Sequence, residues 1–190
     1  MACPITQGSA FNCASLSPGG IEPFIMLYNK EDWDAATLTL DATDGYITGI
    51  VNDSGKQAYE VSFANNSNVL PNCALRVVDA GQDGYDHQID ARLYDLTQAG
   101  RDNISKVRFQ KVVAIIYKNS GIGEVYGSGV GLRLSDFQYN PNDPASGNNA
   151  QFIIKTPDSD APEVAVPIVI DAGTAASTKA LIEGLTTPGT

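Results

Sequence analysis

The chain of 190 residues contains one histidine, His87, and three cysteines, Cys3, Cys13 and Cys73. With a scatter of aspartates, these are the residues that could do chemistry. Nucleophilic catalysis needs a nucleophile, a base and a group that orients the base. His87 would have to be the base. Apolar and polar residues alternate over 87–93, which places His87 at the start of a strand on the same side as Ile89 and Leu93. That is the position of a core-edge histidine. Gly127-Ser128-Gly129 has the wrong spacing for a nucleophile elbow. The carboxylate pairs Asp41/Asp44 and Asp158/Asp160 have the composition that glycoside hydrolysis requires. Both lie in turn-forming sequence, where aspartate characteristically bonds its own backbone.

Metal and phosphate chemistry find equally little. A structural zinc site takes four Cys or His ligands at close spacing, and the three cysteines and His87 are widely separated and include no CxxC pair. Asp79, Asp83 and Asp86 cluster around glycines, loosely like a calcium loop. They lack the D-x-D-x-D-G order and the closing bidentate Glu, so they form only a weak calcium-site candidate. Gly121-x-Gly123 with Gly127 follows a strand and leads into another strand. No helix N-terminus is present there to hold a phosphate, and a hairpin turn explains these glycines. No catalytic, cofactor-binding or metal-ligating residue is assigned, and the chain is expected not to be an enzyme.

The elements around these residues are mostly strands. Residues 21–28 read as a first strand, with Pro23 placing it at a sheet edge or start. Asp32-Trp33-Asp34 reads as a turn. Residues 38–40 and 46–51 bracket the hairpin turn Thr43-Asp44-Gly45, and residues 58–63 follow as the next strand of an antiparallel meander. Residues 64–86 form a connection too long for an ordinary loop, suited to an extended hairpin or a docking loop. Thr97 is a competent N-cap for a short helix running to Arg108, with Ala99, Ile104 and Val107 toward the sheet. Residues 111–117 are apolar on both faces, as in a strand buried on both sides. Residues 121–123 turn the chain, 129–137 return it, and 150–156 form a last core strand. Beyond Pro157 an extended apolar stretch at 164–170 and a weak helix at 174–185 are expected, either mobile or laid on another surface. The organisation is therefore an N-terminal arm (1–20), a β-sandwich domain (21–156) with the long loop 64–86, and a C-terminal extension (157–190).

Composition bounds the function. The chain is 43% hydrophobic, enough for a substantial core, and carries 22 acidic against 12 basic residues for a net charge of −10. Gripping nucleic acid through its phosphates needs clustered Lys and Arg, which this balance opposes. Five basic residues, Arg101, Lys106, Arg108, Lys111 and Lys118, fall in one stretch. They read as a solvated face or as a basic patch that meets an acidic neighbouring copy. No apolar run approaches the ~20 residues that span a bilayer. The N-terminus lacks the basic start and apolar segment of a secretory signal, so cytoplasmic synthesis and reduced thiols are expected.

The order of elements resembles a known family. Met1-Ala2-Cys3 with Cys13 and Gly19-Gly20-Ile21 opens the chain, and an acidic hairpin with Gly45-Tyr46-Ile47-Thr48 follows. A strand over 87–96, a short helix with Arg101, and residues 112–116 with Gly121, Gly127 and Gly131-Leu132 complete the pattern. Over most of residues 1–156 this is similar to the tail-tube-like virion proteins of bacteriophages that infect Bacteroides and relatives. The resemblance implies a mainly β fold: an antiparallel sandwich or small barrel with one short flanking helix and extended arms. It further implies self-assembly into rings, usually hexamers, that stack into a tube through which DNA passes without specific binding. Partners would be identical subunits and other virion tail proteins, with no membrane, and the location would be the virion, assembled in the bacterial cytoplasm. The segment past Pro157 departs from the family's core pattern. The alternatives are a head-tail connector, a tail-end ring, a capsid decoration protein, or a carbohydrate-binding β-sandwich using Trp33 and exposed tyrosines.

Overall fold

Residues 112–117 are apolar at every position, and the fold gives both of their faces a core to fill. The computed structural model describes residues 20–63, 68–78, 83–93, 102, 106–139 and 150–189. Its elements are β1 (Ile21–Asn29), α1 (Lys30–Ala35), β2 (Thr37–Leu40), β3 (Ile47–Val51), β4 (Tyr59–Ser62), β5 (Val69–Arg76) and β6 (Gly84–Leu93). They continue with β7 (Val112–Lys118), β8 (Gly123–Tyr126), β9 (Arg133–Tyr139), β10 (Ala150–Lys155), β11 (Ile168–Ile170) and α2 (Ala175–Gly184). The strands make a seven-stranded sheet, β2-β3-β11-β8-β7-β1-β4, and a four-stranded sheet, β5-β6-β10-β9. The chain is thus mainly β, with a sandwich-like pairing of two sheets and no closed barrel among the described residues.

Side chains alternate across a strand, and β7 uses both sides. Val112, Ala114 and Ile116 meet Ile25 and Leu27 of β1 and Ile89, Ala91, Phe152 and Ile154 of the four-stranded sheet, forming the core between the layers. Val113, Ile115 and Tyr117 face the other way, where Trp33 of α1 and Ile182 of α2 cover them together with Met26, Ile47 and Ile170. Each fully buried large aliphatic contributes about 1.5–3 kcal/mol, so the two cores together drive the fold. Glycines let α2 lie close. A Cβ on Gly123 would sit 2.7 Å from Ile182 Cδ1, and one on Gly121, whose φ is +91°, would sit 2.6 Å from Ala175 Cβ.

Several expectations need correction. Residues 30–35 form a helix where a turn is expected; Trp33 is only 4% exposed and packs edge-on to Tyr28 at 5.6 Å. Tertiary anchoring stabilises a helix too short to persist alone. β1 is an interior strand between β7 and β4, so of the two placements expected for Pro23 the strand start holds and the sheet edge does not; the register shifts there, between Ile21 and Ile25. The first strands are not a meander: β3 and β4 are consecutive in sequence, yet β4 crosses to pair with β1. The connection 64–86 contains β5 and the start of β6, an extended hairpin running from Val69↔Ala91 to Arg76↔Gly84. The strand returning from the Gly121 turn is β8, whereas β9 belongs to the other sheet.

Residues 157–189, set apart by their composition, are built into the fold. β11 lies between β3 and β8, parallel to the first and antiparallel to the second. The helix expected over 174–185 is α2, capped by Thr174 Oγ1, which accepts the Ser177 N–H at 3.1 Å. The end of the chain is stitched to residues 52–58, as Ala58 N–H donates to Leu185 O and Gly55 N–H donates to Gly189 O. Ile170, Ile182 and Leu185 of the tail pack on the chain's own sheet, while Val164 and Val166 remain exposed. The expected arm 1–20 lies almost wholly outside the described residues, as does most of the helix expected over 97–108. Of that helix, Asp102, Lys106 and Val107 are helical, and Val107 packs against the inter-sheet core.

Candidate functional site

The densest group of buried polar side chains joins the loop after β8 to the strap that leads from β10 to β11. Gly127, with φ +75°, turns the chain where a Cβ would lie 2.6 Å from Leu132 Cγ. The next residues aim three backbone N–H groups at one carboxylate. Glu163 accepts from Gly129 at 2.9 Å on Oε2, and from Val130 at 2.8 Å and Gly131 at 3.2 Å on Oε1. Glu163 is 2% exposed, so this small concavity of amides is its replacement for water. Its backbone pairs with Tyr85 in both directions, at 2.8 and 2.9 Å. Close approach requires glycine on β6, because a Cβ at Gly84 would stand 2.5 Å from Glu163 O.

His87 closes the same junction. Its Nδ1 accepts the Gly127 N–H at 3.0 Å, and its Nε2 lies 3.1 Å from Ala165 O. The first contact makes Nδ1 the acceptor, so the proton resides on Nε2 and donates to that carbonyl. Burial holds the imidazole below its ordinary pKa, against the opposing pull of the Glu163 charge and the Ala165 carbonyl. Arg76, at the end of β5, donates to the carbonyls of Asp160 at 2.9 Å and Pro157 at 3.3 Å and pairs with Asp86 at 2.5 Å.

These geometries determine what the polar residues can do. Both nitrogens of His87 are committed to backbone groups, leaving no lone pair for a substrate proton. The Glu163 carboxylate is engaged on both oxygens by three backbone N–H groups. Asp41 Oδ1 accepts the N–H groups of Thr43 and Asp44, and those bonds, Asp44's first, hold its carboxyl below the usual range. Asp158 pairs with Lys155 at 2.8 Å and Asp160 with Lys111 at 2.7 Å, which lowers both carboxyls. The pairs are turn-former and ion-pair partners here. Cys73 stands opposite His87 in the β5–β6 ladder, and burial raises its thiol pKa. No group of three His, Cys, Asp or Glu residues suited to a metal occurs among the described residues. Asp79, Cys3 and Cys13 lie outside them; Asp83 accepts the Val78 N–H at 3.0 Å. Gly121 and Gly123 form the β7–β8 hairpin, and buried Trp33 offers no exposed ring face for a sugar.

Sequence reasoning missed Glu163 and Arg76. Glu163 did leave a trace: it is the one charged residue in the apolar run 161–170. A lone charge in such a run needs a buried partner. Arg76 carried no comparable sign.

No family model matches the chain, and no curated protein or solved structure is significantly similar to it.

The outer face of the four-stranded sheet is a polar surface. Pairing places Asn72 beside Gln88 and Lys155, Asp90 beside Leu70 and Ile153, and Gln151 beside Arg92 and Gln138. The face is rich in amides and nearly balanced in charge. Around it and along the larger sheet, the end strands expose large apolar side chains: Leu40 on β2, Tyr59 on β4, Leu70 and Leu75 on β5, and Phe137 on β9.

Proposed function

We propose that this chain is a non-enzymatic structural protein of a bacteriophage virion whose copies join into rings, of six in the tail-tube pattern, that stack into a conduit for DNA. The observation that carries this reading is the state of the sheet ends. A strand at a sheet edge offers unpaired N–H and C=O groups to any other strand, and solitary proteins blunt such edges with charge, proline or brevity. Here β2 and β4 are short and β5 carries Pro71, but β5 and β9 still run eight and seven residues, and every end strand of both sheets bears an exposed large apolar side chain. Identical neighbours would cover these edges in a cyclic assembly.

The buried polar cluster supports the same reading, because its groups are used to lock a strap onto a loop. In a ring, the amide-rich face of the four-stranded sheet is suited to a lumen. It is nearly balanced in charge, so it presents phosphates with no uniformly basic wall to adhere to. Other virion tail proteins would meet the ring at its ends. No helix among the described residues is long and apolar enough to cross a membrane.

Negative-stain microscopy of the purified chain at rising concentration tests this function. Rings or stacked tubes are expected. A field of isolated particles at every concentration would overturn it.

A further inference from the structure

The segment 106–111 stands between two recesses. On one side a cavity of about 220 Å³ is lined by Leu27, Tyr59, Val61 and Val107. On the other a polar recess of about 500 Å³ is bordered by Lys30, Lys56, Lys111 and Arg133, with Phe109 on its rim. Phe109 is 72% exposed, and the Arg108 guanidinium lies over its ring at 5.3 Å. Lys30, Lys56 and Lys111 already face Asp34, Asp32 and Asp160. Lys106 and Arg108 are exposed and have no ion-pair partner among the described residues, while Arg133 acts on Asp160 and the recess is also lined by Glu31 and Asp32. A chain with a net charge of −10 therefore concentrates uncompensated positive charge beside one exposed aromatic ring and an apolar cleft.

The complement lies at the other end of the same sheet. The β2–β3 turn carries half-buried Asp41 and exposed Asp44 and follows exposed Leu40. Asp41, Asp171 and Asp44 act together on Tyr46, whose phenol is raised chiefly by Asp41. The turn thus combines negative charge with an apolar side chain, as the recess combines positive charge with Phe109 and the cleft. The cleft is lined by β1 and β4, and the turn joins β2 to β3, so the two surfaces occupy opposite ends of the seven-strand order.

We infer that the acidic β2–β3 turn of one copy docks into the Phe109 recess of a second copy. The inference rests on the self-assembly reading above and names the contact that would carry it. A twofold dimer would use both contacts reciprocally and stop at two copies, whereas a head-to-tail contact leaves one turn and one recess free at each end. Such a contact repeats from copy to copy and gives a ring or a filament. Complementary charge sets the partner and the register, and the apolar groups exclude water beneath it.

A charge swap provides the test. Asp44 and Arg108 are both exposed, so Asp44→Lys and Arg108→Glu should leave the melting temperature unchanged. Each alone should weaken association, measured by sedimentation velocity, by about tenfold or more. Combined in one chain they should restore it, because every contact then pairs the reversed charges. Assembly indifferent to both single variants, or a double variant weaker than either, would overturn this contact while leaving self-assembly intact. A parent chain that never associates would overturn both.

Discussion

The Glu163 carboxylate accepts the Val130 N–H at 2.8 Å, and the same oxygen also takes the N–H of Gly131. Thirty-odd residues of sequence separate these groups, and the contact fixes where the strap crosses the sandwich. Replacement by alanine would leave three inward-pointing N–H donors without their acceptor, and an unsatisfied buried donor costs about 1–3 kcal/mol. Glu163→Ala should therefore destabilise the chain by about 3 kcal/mol or more, read as a lower urea midpoint at unchanged slope. Glu163→Gln keeps one carbonyl acceptor and should lose less.

Acid should expose the second half of the lock. Burial places the folded pKa of His87 below its ordinary value of 6.5. As pH falls through 6.5 the unfolded chain takes up a proton first, so stability declines from there down to the folded pKa and is then flat with respect to this group. Above 6.5 the group adds no slope. His87→Asn should be less stable than the parent at neutral pH and should lack the decline below 6.5. Asp41, Asp158 and Asp160 act in a separate window. Their pKa values lie below 3.8, so the stability they contribute is present above that value and is lost as pH falls beneath it. Thermal melts from pH 8 to 3 distinguish the two windows.

Gly84 is held to its identity by space. A Cβ there would meet Glu163 O at 2.5 Å and Pro162 Cβ at 2.8 Å, and the first of these is backbone that cannot swing aside. Gly84→Ala should push the strap off β6 and cost about 2 kcal/mol, within the usual range of overpacking penalties. Gly45, with φ +70° but open space around it, should cost about 1 kcal/mol on change to alanine, from backbone conformation alone. Comparing the two melting temperatures separates crowding from backbone preference.

The strands with regular alternation or continuous apolar character, β6 and β7, were legible because their period follows directly from the faces they bury. The β2–β3 hairpin was legible from Thr43-Asp44-Gly45, and α2 as a weak helix over 174–185. What escaped was decided by distant contacts. Residues 30–35 are helical because Trp33 reaches Tyr28, and no local period reveals that. β11 is three residues long, and only its neighbours β3 and β8 make it a strand. The polar lock depends on Glu163 meeting a glycine loop whose N–H groups have no signature in sequence.

The placement of β11 carries its own consequence. A chain ending at Pro157 would leave β3 and β8 without the strand between them and would strip Ile170, Ile182 and Leu185 from the second core. Such a truncation should fail to fold cooperatively, with exposed apolar surface and no sharp thermal transition. A truncated chain that melts like the parent would mean the segment is an appendage after all.

Self-association is the claim on which the functional account turns. Light scattering coupled to size-exclusion chromatography, run over a hundredfold range of concentration, measures it most directly. The account predicts a particle whose mass is a fixed multiple of 20.1 kDa, growing by whole rings as concentration rises. A single species of 20.1 kDa throughout would contradict it.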